Sequence, residues 1–267
     1  PTTSSAASDV YKRQILSRRT AVLAGIGALA AGAWWGWPRV APYFVGGFEF
    51  EPLGHLPGFR RIAAGETSGN INPLAGIDSS RDPRVTAAEE TVRVDICRAL
   101  FGETATQGVV PIASFSDYYC PFCRVLTQTL AGIEAESGGE VRITWHEWPL
   151  LGSNSDYAAR AALAADRQGA YVQFHKRLMR SSFVPTEEFL RALAESIGIE
   201  PGKMIADIKS EAVTSRLVAS AALASVFQFR GTPALIVGRT VVVGAVSDAT
   251  LKALISRERA DGPLEMC

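Results

Sequence analysis

The stretch Val109-Val110-Pro111-Ile112-Ala113-Ser114-Phe115, followed by Ser116-Asp117-Tyr118-Tyr119 and then Cys120-Pro121-Phe122-Cys123, decides how this chain is read. Residues 109–115 have the continuous apolar character of a buried strand. Residues 124–136 have the spacing of a helix, with Val125, Leu126, Thr129, Leu130 and Ile133 on one broad apolar stripe. The two cysteines therefore fall where a strand turns into a helix. The first thiol there faces the unpaired N–H groups and positive dipole end of the helix. That position stabilises a thiolate, lowers its pKa and makes it a good nucleophile and leaving group at neutral pH. Strand, paired cysteines and helix together make a redox device.

The competing readings of the pair are weaker. A zinc site needs about four nitrogen or sulfur ligands, usually in paired clusters. The chain has only Cys97 and Cys267 besides the pair, and its three histidines, His55, His146 and His175, show no ligand spacing. A purely structural disulfide closing so short a loop would constrain the unfolded chain little. Cys97 and Cys267 could bridge the leading helix to the C-terminus in an oxidising compartment or remain unpaired; sequence leaves both open.

Further from the pair, Lys12, Arg13, Arg18 and Arg19 precede an uncharged run at 20–37 that ends before Pro38-Arg39. Such an arrangement is either a secretory signal or a membrane anchor. At about 1.5 Å per residue the run reaches about 27 Å as a helix, enough to cross a bilayer core. The positive flank keeps the N-terminus cytoplasmic and sends the rest outward, and Trp34, Trp35 and Trp37 suit the outer interface. Ala31-Gly32-Ala33 offers a signal-peptidase site instead. Ser17-Arg18-Arg19-Thr20-Ala21-Val22 partly resembles a twin-arginine signal, with Ala21 where Phe is usual, so twin-arginine and Sec export both stand. Gly25-Ile26-Gly27-Ala28-Leu29-Ala30 fits a dinucleotide loop only superficially, since no strand precedes it.

The expected organisation is a cytoplasmic or non-native leader at 1–19, the signal or anchor at 20–37 and a Gly/Pro-rich linker at 38–83. A leading segment at 84–108 and a main domain at 109–260 follow. Within the linker, Phe48-Glu49-Phe50 is a candidate edge strand. A single helix is predicted over 84–101 and a strand over 141–148, where apolar and polar residues alternate. The region at about 155–230 is almost wholly helical in pattern, with Thr186 as a cap and Pro201 as a helix opener. Ala234-Leu235-Ile236-Val237 and Thr240-Val241-Val242-Val243 flank Gly238-Arg239 as a hairpin, and Ser247 caps a last helix. The 27 basic and 27 acidic residues balance, which argues against nucleic acid as a partner.

This order, with Cys120-Pro121-Phe122-Cys123 and the later Gly231-Thr232-Pro233, resembles the DsbA-like branch of the thioredoxin-fold family over 109–257. The resemblance implies an α/β fold, a thioredoxin-like domain with a helical insertion. It also implies a cis peptide before Pro233, packed beside the cysteines, with the preceding backbone at Thr232 pairing with substrate peptide. Trp148-Pro149-Leu150-Leu151-Gly152 is similar to the segment that leaves the second strand in this family. Two departures stand out. The acid that the family commonly buries six residues before the first cysteine is replaced by Ser114. The relay that acid supplies is then absent or displaced: Asp117 is nearer but expected to lie solvated in the turn, and Glu147 is another candidate, with an outward-facing strand carboxylate the expected reading. Phe122 stands where the strongest oxidants carry His, which implies a less depressed Cys120 pKa and a less oxidising disulfide.

The implied activity is that of a periplasmic thiol–disulfide oxidoreductase acting on exported proteins with thiols or disulfides. In it Cys120 is the nucleophile, Cys123 the resolving partner, and Pro121 and Phe122 shape the first turn. Thr232 and Pro233 would orient the substrate strand. By the same resemblance a DsbB-like or DsbD-like membrane partner resets the pair. No organic cofactor or metal is indicated. Two other readings remain: a disulfide isomerase or reductase of the same fold, and a non-catalytic periplasmic chaperone.

Overall fold

The structure is a computed structural model and describes residues 47–63, 65–69, 82–104, 108–182 and 184–264. The expected leader, the signal or anchor at 20–37 and Cys267 lie outside the described residues. Among the described residues no helix is long and apolar enough to cross a membrane.

The continuous apolar run before the cysteines forms strand β3 (Val110–Ser116), all of it buried. It lies inside a six-stranded sheet with β1 (Glu51–Pro52), β2 (Arg60–Arg61), β4 (Val141–Glu147), β5 (Ala234–Val237) and β6 (Thr240–Val243), in the order β1-β2-β6-β5-β3-β4. β4 runs parallel to β3, whereas β5 is antiparallel to both β3 and β6. Alternate β3 side chains feed opposite faces. Ile112 joins Leu126, Leu130, Leu235 and Leu254 on one side. Ala113 and Phe115 join Phe101, Leu223, Phe227 and Ile236 on the other. Both faces are covered by helices, which is why the strand reads as an unbroken apolar run.

Helix α1 (Pro83–Val94) and helix α2 (Ile96–Phe101) replace the single helix expected over 84–101. The break is Asp95, whose non-helical backbone lets its carboxylate accept from the Arg98 N–H at 2.9 Å and cap the second helix. After β3 comes α3 (Pro121–Glu136), and its buried face is Cys123, Leu126, Thr127, Leu130 and Ile133. Val125, expected on that face, is 68% exposed; the helix starts at Pro121 and its phase is set by Cys123.

Between β4 and β5 lies the helical insertion: α4 (Ser153–Asp166), α5 (Tyr171–Arg180), α6 (Glu187–Ser196), α7 (Pro201–Asp207) and α8 (Glu211–Val226). Thr186 caps α6 by accepting from Phe189 N–H, as its sequence position predicts. The Gly238-Arg239 turn joins β5 to β6, with Gly238 at φ 55°, a value that favours glycine. Ser247 caps the last helix, α9 (Asp248–Ala260).

The stretch expected to be a linker at 38–83 is part of the fold over residues 47–63. β2 pairs with β6, and Leu53, Leu56, Phe59 and Ile62 are buried. Phe59 meets the Phe227 ring edge-on at 5.0 Å. The edge strand falls at Glu51–Pro52 rather than at 48–50, because Phe50 serves as a platform instead: the Arg60 guanidinium sits 3.7 Å above its ring. Arg60 also donates to Thr240 Oγ1, Glu258 Oε1 and Asp261 Oδ2, at 2.8, 2.6 and 2.6 Å. Those bonds clamp the lead-in to β6 and α9.

Candidate active site

Cys120 is the N-cap of α3 and Pro121 its first residue. Proline suits that position because its φ is already helical and no N–H is needed there. The extended backbone of Cys120 aims its sulfur back over the helix end, where Sγ accepts from the Cys123 N–H at 3.2 Å. The Cys120 thiol also points at the Thr232 carbonyl, 3.4 Å away. Residues 112 positions apart thus meet because β3 and β5 are paired neighbours and deliver both loops to the same sheet edge. The Thr232–Pro233 peptide is cis, and both residues are buried.

The two sulfurs are electrostatically unlike. The Cys120 pKa drops from 9.0 to about 6, chiefly because the Cys123 thiol hydrogen-bonds to it. Burial opposes that drop, while the Thr232 and Ser68 side chains and the Cys123 N–H assist it. Cys123 moves the opposite way, driven first by burial and then by its donation to Cys120. At neutral pH the geometry therefore holds one thiolate and one thiol. Both cysteines are free. Such a pair can form a mixed disulfide at the first sulfur and release it with the second. Phe122, half-buried, packs against the core beside them and offers neither charge nor hydrogen bond.

The turn before the pair is held by two buried acids. Asp117, expected in solvent, is 1% exposed. Its carboxylate accepts from Tyr119 N–H (2.7 Å), Leu150 N–H (2.6 Å), Leu151 N–H (3.0 Å) and Ser155 Oγ (2.7 Å). Glu147, expected to face outward, is equally buried. Its Oε1 accepts from Tyr118 OH at 2.7 Å, Tyr171 OH at 2.5 Å and His175 Nδ1 at 3.1 Å. Burial and the adjacent carboxyl hold both tyrosines well above the ordinary phenol value. Burial is what makes these bonds necessary, since an unpaired carboxyl there would be costly. The sequence held one signal for this cluster: Tyr171 and His175 stand four apart on one face of α5.

His146 packs flat on Phe115, ring centroids 4.5 Å apart, and bonds through Nε2 to Leu100 O at 2.9 Å. Burial pushes its pKa down to about 4, so it is a neutral core residue. His55 is exposed in the lead-in. Among the described residues no group of three or more His, Cys, Asp or Glu side chains is placed to hold a metal ion. Cys97 is buried in α2 and is not a free thiol.

The DSBA-like thioredoxin domain family matches this chain over residues 111–256. Among solved structures, the chain is similar to a thioredoxin-like oxidoreductase from Silicibacter pomeroyi DSS-3. The two share 35% identity with a TM-score of 0.56, over 61% of this chain and 98% of that one. A periplasmic thioredoxin-like protein from Salmonella enterica serovar Typhimurium matches at 27% identity and TM-score 0.50, over 62% of this chain and 96% of that one. The thiol-disulfide exchange protein alpha-DsbA2 from Wolbachia pipientis shares the fold at 22% identity and TM-score 0.55, over 67% and 99% of the two chains. No curated protein matches the sequence.

Proposed function

The chain belongs to the DSBA-like thioredoxin-domain family, and on that premise we propose that it is a periplasmic thiol–disulfide oxidoreductase for exported proteins. The observation that carries this reading is the unlike pair of sulfurs at the start of α3: Cys120 with its pKa drawn down to about 6, Cys123 held as a thiol by burial. In the oxidised enzyme a client thiolate attacks Cys120 Sγ, the Cys120–Cys123 bond breaks, and Cys123 leaves with the electron pair and takes up a proton. A second client thiolate then attacks the client sulfur of the mixed disulfide. Cys120 departs as a stabilised thiolate, the client gains a disulfide, and the enzyme keeps two electrons. Run in reverse, the same steps reduce or reshuffle a client disulfide.

Thr232 and Pro233 border the sulfur and present a backbone to an extended client segment. Pro121 and Phe122 fix the first turn. A DsbB-like or DsbD-like membrane partner would return the pair to its working state, and the segment at 20–37 would export or tether the protein. The periplasmic description of the Salmonella relative supports this location. A role as isomerase or reductase is the second reading, favoured by Thr232 before the cis proline. A non-catalytic chaperone is the third.

The deciding measurement is the reduction potential of the Cys120–Cys123 couple in glutathione buffers. We expect a value between those of strong oxidants, about −120 mV, and thioredoxin, about −270 mV. The expected chemistry also requires Cys120→Ser to abolish exchange and Cys123→Ser to accumulate mixed disulfides with clients. Client binding that is unchanged in the Cys120→Ser protein, with no exchange by the wild-type chain, would leave only the chaperone reading.

A further inference from the structure

Cys120 is 0% exposed. A sulfur that must meet a client cysteine along the S–S axis is thus shut off from solvent in this state, and a segment of the same chain pairs with Thr232, the residue whose backbone the proposed function gives to the client. Residues 65–69, Gly-Glu-Thr-Ser-Gly, run along the loop before Pro233. Ser68 N–H donates to Thr232 O at 2.7 Å and Thr232 N–H donates to Ser68 O at 2.8 Å, an antiparallel bridge between the two residues. The segment is fastened further along by Gly65 N–H to Val243 O and by Ala245 N–H to Glu66 O, each 2.8 Å. The Thr232 carbonyl that accepts from Ser68 N–H is the same one that lies 3.4 Å from Cys120 Sγ, so the bridge sets Ser68 beside the sulfur, and the Ser68 side chain is among the groups that draw the Cys120 pKa down.

We propose that residues 65–69 are an intramolecular pseudosubstrate, an own-chain strand paired with Thr232 that sets the Ser68 hydroxyl where a client cysteine would meet Cys120. This proposal rests on the oxidoreductase reading above and adds that a client must displace the segment to react. Serine is the oxygen counterpart of cysteine: it fits the same space, and it cannot form a disulfide. The bridge is therefore reversible.

The attachment suits displacement. None of the five residues is buried, so the segment is held by main-chain hydrogen bonds and not by apolar side chains. An entering extended peptide makes the same bonds to Thr232, and the exchange leaves no backbone group unpaired. The close approach depends on glycine at the receiving loop: a Cβ on Gly231 would lie 2.8 Å from Ser68 O. A client in the same register meets the same requirement. The arrangement favours clients whose reactive cysteine lies in an extended, unfolded stretch with small neighbours, since a Cβ at Gly69 would lie 2.7 Å from Arg230 O.

The test is a Ser68→Cys change in the full chain, in a Cys123→Ser background, exposed to oxidised glutathione. Two thiols would lose two electrons and two protons as one oxidised glutathione becomes two reduced ones, leaving a bond between the position-68 sulfur and Cys120 Sγ. Peptide mapping without reductant should find that crosslink as the dominant product. Glutathione adducts on both sulfurs without the crosslink would overturn the proposal. The second arm is Ser68→Pro, which removes the N–H given to Thr232. If the segment covers the sulfur about nine-tenths of the time, alkylation of Cys120 should accelerate about tenfold, measured above its pKa so that ionisation is constant. An unchanged rate would also overturn it. Neither arm needs turnover: a crosslinking variant alongside a wild-type chain without exchange activity would sink the oxidoreductase reading alone, and an active wild-type chain whose variant does not crosslink would sink only the pseudosubstrate.

Discussion

Protonating Cys120 should cost the reduced fold stability in a defined pH window. Its pKa is 9.0 ordinarily and about 6 in the fold. A folded value below the unfolded one contributes stability that is complete above about pH 9 and drains away as pH falls through about 6. Each unit of difference corresponds to about 1.4 kcal/mol, so the full contribution is about 4 kcal/mol and the share present at pH 7.5 is about 2 kcal/mol. Above pH 9 the Cys123 thiol acts in the other direction, because burial keeps it protonated in the fold while the unfolded thiol ionises. Reduced-state stability attributable to the pair should therefore peak near pH 9. In the oxidised protein neither sulfur titrates, which supplies the control: every other group contributes equally to both forms. The assay is guanidinium unfolding of the reduced and the oxidised protein from pH 5.5 to 8.5, read as the difference between them. That difference should shift in favour of the reduced form by up to about 1.4 kcal/mol per pH unit between 6 and 8.5. A difference that stays level to within about 0.5 kcal/mol, the error of such extrapolations, would refute the thiolate assignment.

Phe122→His places a ring N–H in the first turn of α3, and it should lower the Cys120 pKa and raise the reduction potential, about 30 mV for each 1.4 kcal/mol gained by the thiolate. A potential equal to wild type would move control of redox poise from the dipeptide to the helix end and the Thr232 loop. Glu147→Ala strips the shared acceptor from Tyr118, Tyr171 and His175, and should cost about 3 kcal/mol or more in urea unfolding, whereas Glu147→Gln keeps one acceptor oxygen and should cost clearly less. Equal losses would show that the hydrogen bonds are not what the carboxyl supplies. Arg60→Ala leaves Glu258 and Asp261 short of a partner and uncovers Phe50; a loss of about 2–3 kcal/mol is expected, with new protease cleavage confined to residues 47–63. Cleavage spread over the whole chain would instead mean that the lead-in and the sheet unfold as one.

What the sequence displayed was whatever chemistry is local. The hairpin around Gly238-Arg239, the caps at Thr186 and Ser247 and the cysteine pair at a helix start each depend on a few adjacent residues, and all of them stand where the pattern placed them. Alternation failed at the end of β4, where Trp145, His146 and Glu147 are buried in succession. There both faces of the strand are covered: His146 stacks on Phe115, and Glu147 meets Tyr118 from the cysteine turn and Tyr171 and His175 from α5. A polar residue looks solvated until its partners are known, and three of the four partners of Asp117 lie 33 to 38 positions away. Ser68 gave no sign at all, because only the return of the lead-in along β6 brings it to Thr232.

The Ser114 departure takes on a different meaning in this light. The two buried acids nearest the cysteines are Asp117 and Glu147, and both are occupied as anchors. Asp117 ties the turn to the start of α4 through Leu150, Leu151 and Ser155, and Glu147 ties Tyr118 of the same turn to α5. They grip one short segment from two sides, and that segment fixes where α3 begins and hence where Cys120 stands. The groups that draw the Cys120 pKa down are neutral: the Cys123 thiol and N–H and the side chains of Thr232 and Ser68. Carboxyl chemistry in this protein therefore acts on the position of the sulfur, and neutral donors act on its ionisation. Substitutions at the acids should register first as lost stability, and substitutions at Ser68, Phe122 and Thr232 as changes in the pH profile of Cys120. An Asp117→Asn protein with native stability and a displaced Cys120 pKa would contradict that division.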